Sequence, residues 1–290
     1  MPDELTGAAA PAIRLRPDFR PAAVLSRTDK SLLIAGDCED GPVVAKLLTT
    51  REALWVEKFD VEIEAYRCFV DTPPPVRVPA LIAADRQHHV LLVEHVRGRP
   101  PVQGRDRFPP HALDPTHVSA MLTAMTDLGR WRPPAGAFTR TLDYLGRLDR
   151  DRCQGLVTQH EFQALTDLFH RADTGLVPGH GDPLPTNFVI GPDGGATVID
   201  WEHAGHYLPG HDLAVLWIVL AATPEARTRI EELVAAEPPS VRAAFTVNRA
   251  VLLVRQLRNH RALAPSSWRD ERVAAIDRDW QDVREPLRAG

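Results

Sequence analysis

Residues 180–212 read HGDPLPTNFVIGPDGGATVIDWEHAGHYLPGHD. Two short apolar runs, Phe188-Val189-Ile190 and Thr197-Val198-Ile199, flank the turn cluster Pro192-Asp193-Gly194-Gly195. Apolar runs bounded by Gly, Pro and Asp predict a β-hairpin. Asn187 opens the first strand and Asp200 closes the second, so the turn returns the chain to the end it left and brings both side chains there. Two converging oxygen ligands suit Mg²⁺, a hard cation usually held by one or two carboxylates plus phosphate oxygens. Asp182 lies five residues before Asn187 on a proline-broken loop, Pro183 to Pro185, where its carboxylate can accept a proton from an incoming hydroxyl. A base, a metal-binding asparagine and a metal-binding aspartate are the parts that phosphoryl transfer requires.

The rest of the chain narrows the setting. Its 290 residues suffice for one large two-lobed unit or two modest domains, and 44% hydrophobic with 25% charged residues are ordinary globular values. A net charge of −5 argues against a nucleic-acid surface and mildly favours a cationic substrate. Cys38, Cys68 and Cys153 are odd in number and widely spaced, with neither a zinc pattern nor a disulfide framework; a reducing, cytoplasmic setting is expected. The N-terminus has no apolar core behind a basic start, and no window reaches the roughly 18 apolar residues of a membrane span, so neither a signal peptide nor a membrane partner is expected. Only three lysines, Lys30, Lys46 and Lys58, stand against 31 arginines, which makes each lysine informative.

Read along the chain, residues 1–21 are expected to be a loosely held leader. Strands follow at 22–25, 32–35 and 43–48, the last two joined by the Glu39-Asp40-Gly41 turn. Residues 51–70 have helical spacing, with Leu54, Phe59, Ile63, Tyr66 and Phe69 on one face. Strands at 80–84 and 90–96 complete a β-rich lobe over 22–96. The Pro/Gly/Arg-rich segment 97–110 begins the crossing into a second, helical lobe over 97–290. Its helices are expected at 115–130, 139–154, 159–173, 211–222, 224–236, 239–263 and 268–284.

The ordered set His180, Gly181, Asp182, Asn187, Ile199, Asp200, Trp201, Glu202, Asp212, Leu213 and Ala214 resembles the aminoglycoside phosphotransferase family, which includes choline-kinase-like enzymes and shares the protein-kinase fold. The resemblance implies an α+β, two-lobed protein-kinase-like fold: a small, mostly antiparallel β lobe with one helix, and a larger, mainly helical lobe. It implies ATP and Mg²⁺ as cofactors, Asp182 as base, and Asn187 and Asp200 as metal ligands. Lys46, inside the apolar strand Val43-Val44-Ala45-Lys46-Leu47-Leu48, would hold the α- and β-phosphates and pair with a glutamate of the following helix; without the resemblance it reads as an edge-strand lysine facing water. That helix offers Glu57, Glu62 and Glu64. The family's glutamate followed by an aromatic selects Glu62, four residues before Tyr66, with Glu64 next. Backbone groups of Glu94 and Val96 occupy the place of the family's adenine-reading hinge. His180 and Asp212 would brace the catalytic loop, Asp212 also being a candidate helix N-cap.

One element departs from expectation. The segment that would cover the phosphates, Ser26-Arg27-Thr28-Asp29-Lys30-Ser31, has no glycine to let backbone amides approach an anion. A hydroxyl, Ser31 foremost, would have to serve. His203, His206 and His211 cluster without a cysteine and are read as solvated loop histidines rather than a zinc site.

The expected activity is ATP-dependent transfer of the γ-phosphoryl to a hydroxyl of a small molecule. Aminoglycosides, other antibiotics, choline-like amines and sugars all remain open as acceptors, and Glu202, Arg255, Arg258 and Asn259 are candidates to line that pocket. A catalytically silent nucleotide-binding scaffold is the alternative. A protein kinase fits less well, because twelve positions between Asp200 and Asp212 leave no room for a long activation segment, and Leu184 stands where protein kinases usually keep a lysine.

Overall fold

The computed structural model describes residues 2–102, 107–134, 136–172 and 175–289. Five antiparallel strands, β1 (Arg20–Arg27), β2 (Ser31–Cys38), β3 (Gly41–Leu48), β4 (Leu81–Asp85) and β5 (Val90–Glu94), form a sheet in the order β1-β2-β3-β5-β4. β3 is therefore central and paired on both sides, with Lys46 opposite Leu33 on one neighbour and Leu91 on the other. That position excludes the edge-strand reading of Lys46. Successive side chains alternate across a strand. Val43, Ala45 and Leu47 are buried on one face, and Lys46 leaves from the other.

The N-terminal segment differs from expectation. Rather than a loose leader it forms α1 (Pro2–Ala8) and α2 (Ala10–Leu15), whose Ala9 and Ala12 pack with Phe19 against Ile34, Val43, Ala45 and Leu92. Small side chains made this segment look featureless in sequence, yet they let the helices approach the sheet closely, and Pro11 suits the first turn of α2. On the opposite face lies α3 (Ala53–Asp71), burying Phe59, Ile63, Tyr66 and Phe69, while Leu54 in its first turn is exposed.

The second lobe is mainly helical: α4 (Pro115–Arg130), α5 (Tyr144–Cys153), α6 (Gln159–Arg171), α7 (His211–Val219), α8 (Pro224–Ala235), α9 (Pro239–Arg261) and α10 (Ser267–Ala289). Among them lie the hairpin β7 (Phe188–Ile190) with β8 (Ala196–Val198), and the ribbon β6 (Val177–Gly179) with β9 (Gly205–Tyr207), which the sequence reading did not anticipate. Residues 103–106 of the expected crossing segment lie outside the described residues. Before them, Arg99 and Ile190 exchange backbone hydrogen bonds of 3.1 and 2.8 Å, tying the crossing to the hairpin. Trp201 joins the lobes: fully buried, it meets Phe69 of α3 edge-on at 4.7 Å and His180 at 4.8 Å. Among the described residues, no helix is long and apolar enough to cross a membrane.

Candidate active site

The hairpin register pairs Phe188 with Val198, and the Ile199 amide donates to the Asn187 carbonyl at 2.9 Å. Asn187 and Asp200 are thus set at one end of the unit, as the turn chemistry requires. Asp200 has φ of +63°, a left-handed conformation that aspartate tolerates better than most residues, and it ends the strand by turning its carboxylate out of the hairpin. The next residue, Trp201, donates from Nε1 to the Val198 carbonyl at 3.1 Å, so the bend is locked by a buried indole.

Asp200 meets Lys46. The Lys46 ammonium donates to Glu62 Oε2 at 2.6 Å and to Asp200 Oδ1 at 2.7 Å, bridging the two lobes. Of the three candidate helix glutamates, Glu62 makes this contact; Glu64 pairs instead with Arg86 at 3.0 Å. Burial pushes the Glu62 carboxyl up, to about 7, against the pull of Lys46. Asp200 is also desolvated, but Lys46 outweighs this and holds it below the ordinary carboxylate range. The Asp200 side chain keeps 37% of its surface exposed, which leaves Oδ2 accessible from the cleft.

Around Asp182 the loop is fixed by backbone contacts. Asp212 accepts the amides of His180 and Gly181 at 2.8 and 2.9 Å. Gly210, at φ of +80°, is the N-cap of α7, so Asp212 lies in the first turn and serves the catalytic loop rather than the cap. His180 is fully buried; its Nε2–H donates to the Ile199 carbonyl at 2.9 Å while Nδ1 accepts the Asp182 amide at 3.3 Å, an assignment that makes the ring neutral. Gly181 has φ of +82°, and a Cβ there would collide with the His203 carbonyl and the Tyr207 hydroxyl. Asn187 Nδ2 donates to the Asp182 carbonyl at 2.9 Å, which ties the metal-ligand candidate to the candidate base. Asn187 Oδ1 takes no hydrogen bond among the described residues. One free amide oxygen and one carboxylate oxygen fit Mg²⁺, which completes its shell with water and phosphate; no cluster of three His, Cys, Asp or Glu competes among the described residues. Asp182 itself is ion-paired to Arg107 at 2.6 Å.

Other expected residues fall elsewhere. The Ser31 hydroxyl lies 3.3 Å from Thr28 Oγ1, which also accepts the amides of Lys30 and Ser31, so both hydroxyls are engaged inside the β1–β2 turn. The cation of that turn, Lys30, sits 3.6 Å over the Trp55 ring, and Lys58 lies 4.4 Å from the same ring. Sequence reasoning missed Lys58, although the scarcity of lysine was a signal. Glu202 bonds Lys58 at 3.0 Å and approaches Lys46 at 3.8 Å. Arg258 pairs with the fully buried Asp151 of α5, and Asn259 is exposed. Arg255 lies within electrostatic reach of Asp182, and burial lowers its guanidinium to about 10. Glu94 ends β5 with its amide on the Ala80 carbonyl at 2.9 Å, and Val96 follows half-buried. His203 lies between Lys58 (2.9 Å from Nε2) and Arg140 (3.0 Å from Nδ1), and burial together with these cations pushes it down to about 2. His211 stacks on Tyr207 at 4.0 Å, and His206 pairs within the β6–β9 ribbon.

Residues 34–244 match the profile of a family described as APH, phosphotransferase enzyme family. Among solved structures, the aminoglycoside phosphotransferase APH(4)-Ia has a TM-score of 0.63 at 13% identity, with 98% of this chain and 99% of that one covered. The GDP and kanamycin complex of APH(2")-IIia gives 0.62 at 14% identity, over 96% and 99%. Choline kinase LicA from Streptococcus pneumoniae gives 0.59 at 12% identity, over 97% and 98%. At such identities the likeness establishes the fold alone. No curated protein matches the chain.

Proposed function

Because the chain belongs to the phosphotransferase enzyme family, we propose that it moves the γ-phosphoryl of ATP to a hydroxyl of a small molecule, with Asp182 as base. The observation that carries this reading is the ion triad Glu62–Lys46–Asp200, held across the lobes at 2.6 and 2.7 Å and joined through the hairpin to Asn187 and Asp182. Lys46 presents a cation to the α- and β-phosphates, and Glu62 keeps that cation from collapsing wholly onto Asp200. Asn187 and Asp200 would hold Mg²⁺, which when bound neutralises phosphate charge as the bond to the leaving oxygen breaks. The acceptor oxygen–phosphorus bond forms while the β–γ bridge breaks, ADP leaves, and the hydroxyl proton passes to Asp182 and then to solvent. Arg107 must first yield Asp182; with 47% of its side chain exposed, it is free to turn toward water. Lys30 and Lys58, flanking Trp55, supply the positive charge that a glycine-free loop cannot supply through its amides.

General-base assistance is worth about 10²–10⁴ in rate. Asp182→Asn should therefore lower kcat by that factor and leave ATP affinity unchanged. Asp200→Ala, which removes a metal ligand and a Lys46 partner, should be at least as damaging. Steady-state ADP formation with Mg-ATP, alongside calorimetric ATP titration, tests both. ATP binding in the native protein with no phosphoryl transfer across a broad panel of hydroxylated compounds would favour the silent scaffold. Measurable turnover by purified Asp200→Ala would contradict the metal role.

A further inference from the structure

Several arginines gather around Asp182 within electrostatic reach of one another. Asn248 of α9 is fixed against the 208–209 loop, donating to the Leu208 and Pro209 carbonyls at 3.2 and 3.0 Å. Arg255 follows two helical turns later on the same face, within electrostatic reach of Tyr207 and Asp182. It is half-buried and makes no hydrogen bond or ion pair among the described residues. Arg147 of α5 lies beside it by register: Asp151, one turn after Arg147, bonds Arg258, which is three residues after Arg255. Arg147 likewise has no side-chain partner among the described residues.

The third donor is Arg140, whose contact is His203. A neutral imidazole has one acceptor nitrogen, yet Lys58 and Arg140 each face a ring nitrogen at about 3 Å, so one of them always opposes an N–H. Nearby carboxylates each face a partner through at least one oxygen, Asp182 with Arg107, Asp212 with two backbone amides, Asp151 with Arg258 and Glu202 with Lys58, and Asp151 Oδ2 stays without a hydrogen bond among the described residues. Like charges gathered this closely disfavour one another unless acceptors of opposite charge join them. An oxygen-rich ligand would provide them here, and a guanidinium fork matches carboxylate and phosphate geometry. A polycationic amino sugar or a quaternary amine would meet like charge on this wall. The net charge of −5 is a property of the whole chain and does not describe this wall.

We propose that the phosphoryl acceptor is itself an anion: a hydroxylated small molecule bearing a carboxylate or phosphate, bound by Arg255 and Arg140 with Arg147 behind them, its hydroxyl directed at Asp182. This rests on the phosphotransferase reading above. The bond changes are those already given, with the anionic group as anchor and not as reactant. Its arrival also gives Arg107 an alternative to the Asp182 carboxylate.

Calorimetry on the full chain with Mg-ADP separates the cases, using glycerate, glycerol 3-phosphate, choline and kanamycin as probes. At least one of the two anions should bind, and which one identifies the head group. Arg255→Gln and Arg140→Gln should each weaken that binding about 10- to 100-fold, the loss of one charge-assisted hydrogen bond. Mg-ATP affinity should not change in either variant, and Arg255→Lys should restore part of the loss if charge rather than folding is responsible. Binding of kanamycin or choline with neither anion overturns the proposal. So does anion binding indifferent to Arg255→Gln, or no anion binding by a protein that binds Mg-ATP. If the native protein fails to bind Mg-ATP, the phosphotransferase reading falls. Anion binding by nucleotide-free protein that is lost in Arg255→Gln would then still support the arginine site, and no such binding would refute it.

Discussion

The Glu62 carboxyl couples nucleotide chemistry to pH. It is 3% exposed, donates nothing when ionised, and receives the Lys46 ammonium at 2.6 Å; burial nevertheless pushes it from an ordinary 4.5 to about 7. In the proposed role, only ionised Glu62 holds Lys46 in place for ATP. A group titrating near 7 is about 9% ionised at pH 6 and about 91% at pH 8, so kcat/KM for ATP, which reports the free enzyme, should rise about tenfold between those values. Glu62→Gln keeps the shape but cannot titrate. It should lower the plateau about 10- to 100-fold, the worth of a charge-assisted hydrogen bond, and abolish the limb. Stability runs the other way. With its folded value raised, Glu62 stabilises fully below its ordinary 4.5, and that contribution, at most about 3 kcal/mol, is lost as pH rises through about 7. Initial rates of ADP formation at low ATP and melts at matched pH provide both readouts. A flat kcat/KM from pH 6 to 8 in the native enzyme, or an identical limb in Glu62→Gln, refutes the reasoning.

Two further predictions concern the scaffold. Gly181→Ala should cost about 2–4 kcal/mol and reduce turnover at least about 100-fold, because its left-handed φ and the rigid His203 carbonyl leave no room for a methyl group; melts and turnover of the purified variant check this, and near-native values for both would contradict it. Fully buried Glu161 of α6 accepts from Arg284 and Arg288 of α10 at 2.7 and 2.8 Å and completes a capping box with Thr158. Burial opposes its charge, but Arg284 and the Thr158 amide outweigh this and hold it near 2. Its stabilisation is therefore present above the ordinary 4.5 and lost as pH falls through about 2, and Glu161→Gln should cost about 2–4 kcal/mol at neutral pH in denaturant melts while flattening the acid limb.

The hairpin that sets Asn187 and Asp200 at one end was legible in residues 180–212 because turn chemistry and β-branching are local: Pro, Asp and Gly bend the chain wherever it lies, and the register follows. Most helices and strands were legible for the same reason, helix spacing and strand runs being short-range properties, while the fold class came from the family resemblance of residues 180–214. The leader was misread because small alanines carry no periodic signal until a sheet lies beneath them. The pairing of Glu202 with Lys58 was not legible, the two being 144 residues apart in sequence. The resemblance had already pointed to Glu62 as the partner of Lys46, but which side chain covers Asp182 and which arginines share a wall are distances between elements that only packing sets. Local sequence thus determined the chemical groups and the loops that carry them. Tertiary structure decided the charge each group faces, because electrostatics depends on separation through space and the lobes meet only after the chain has folded.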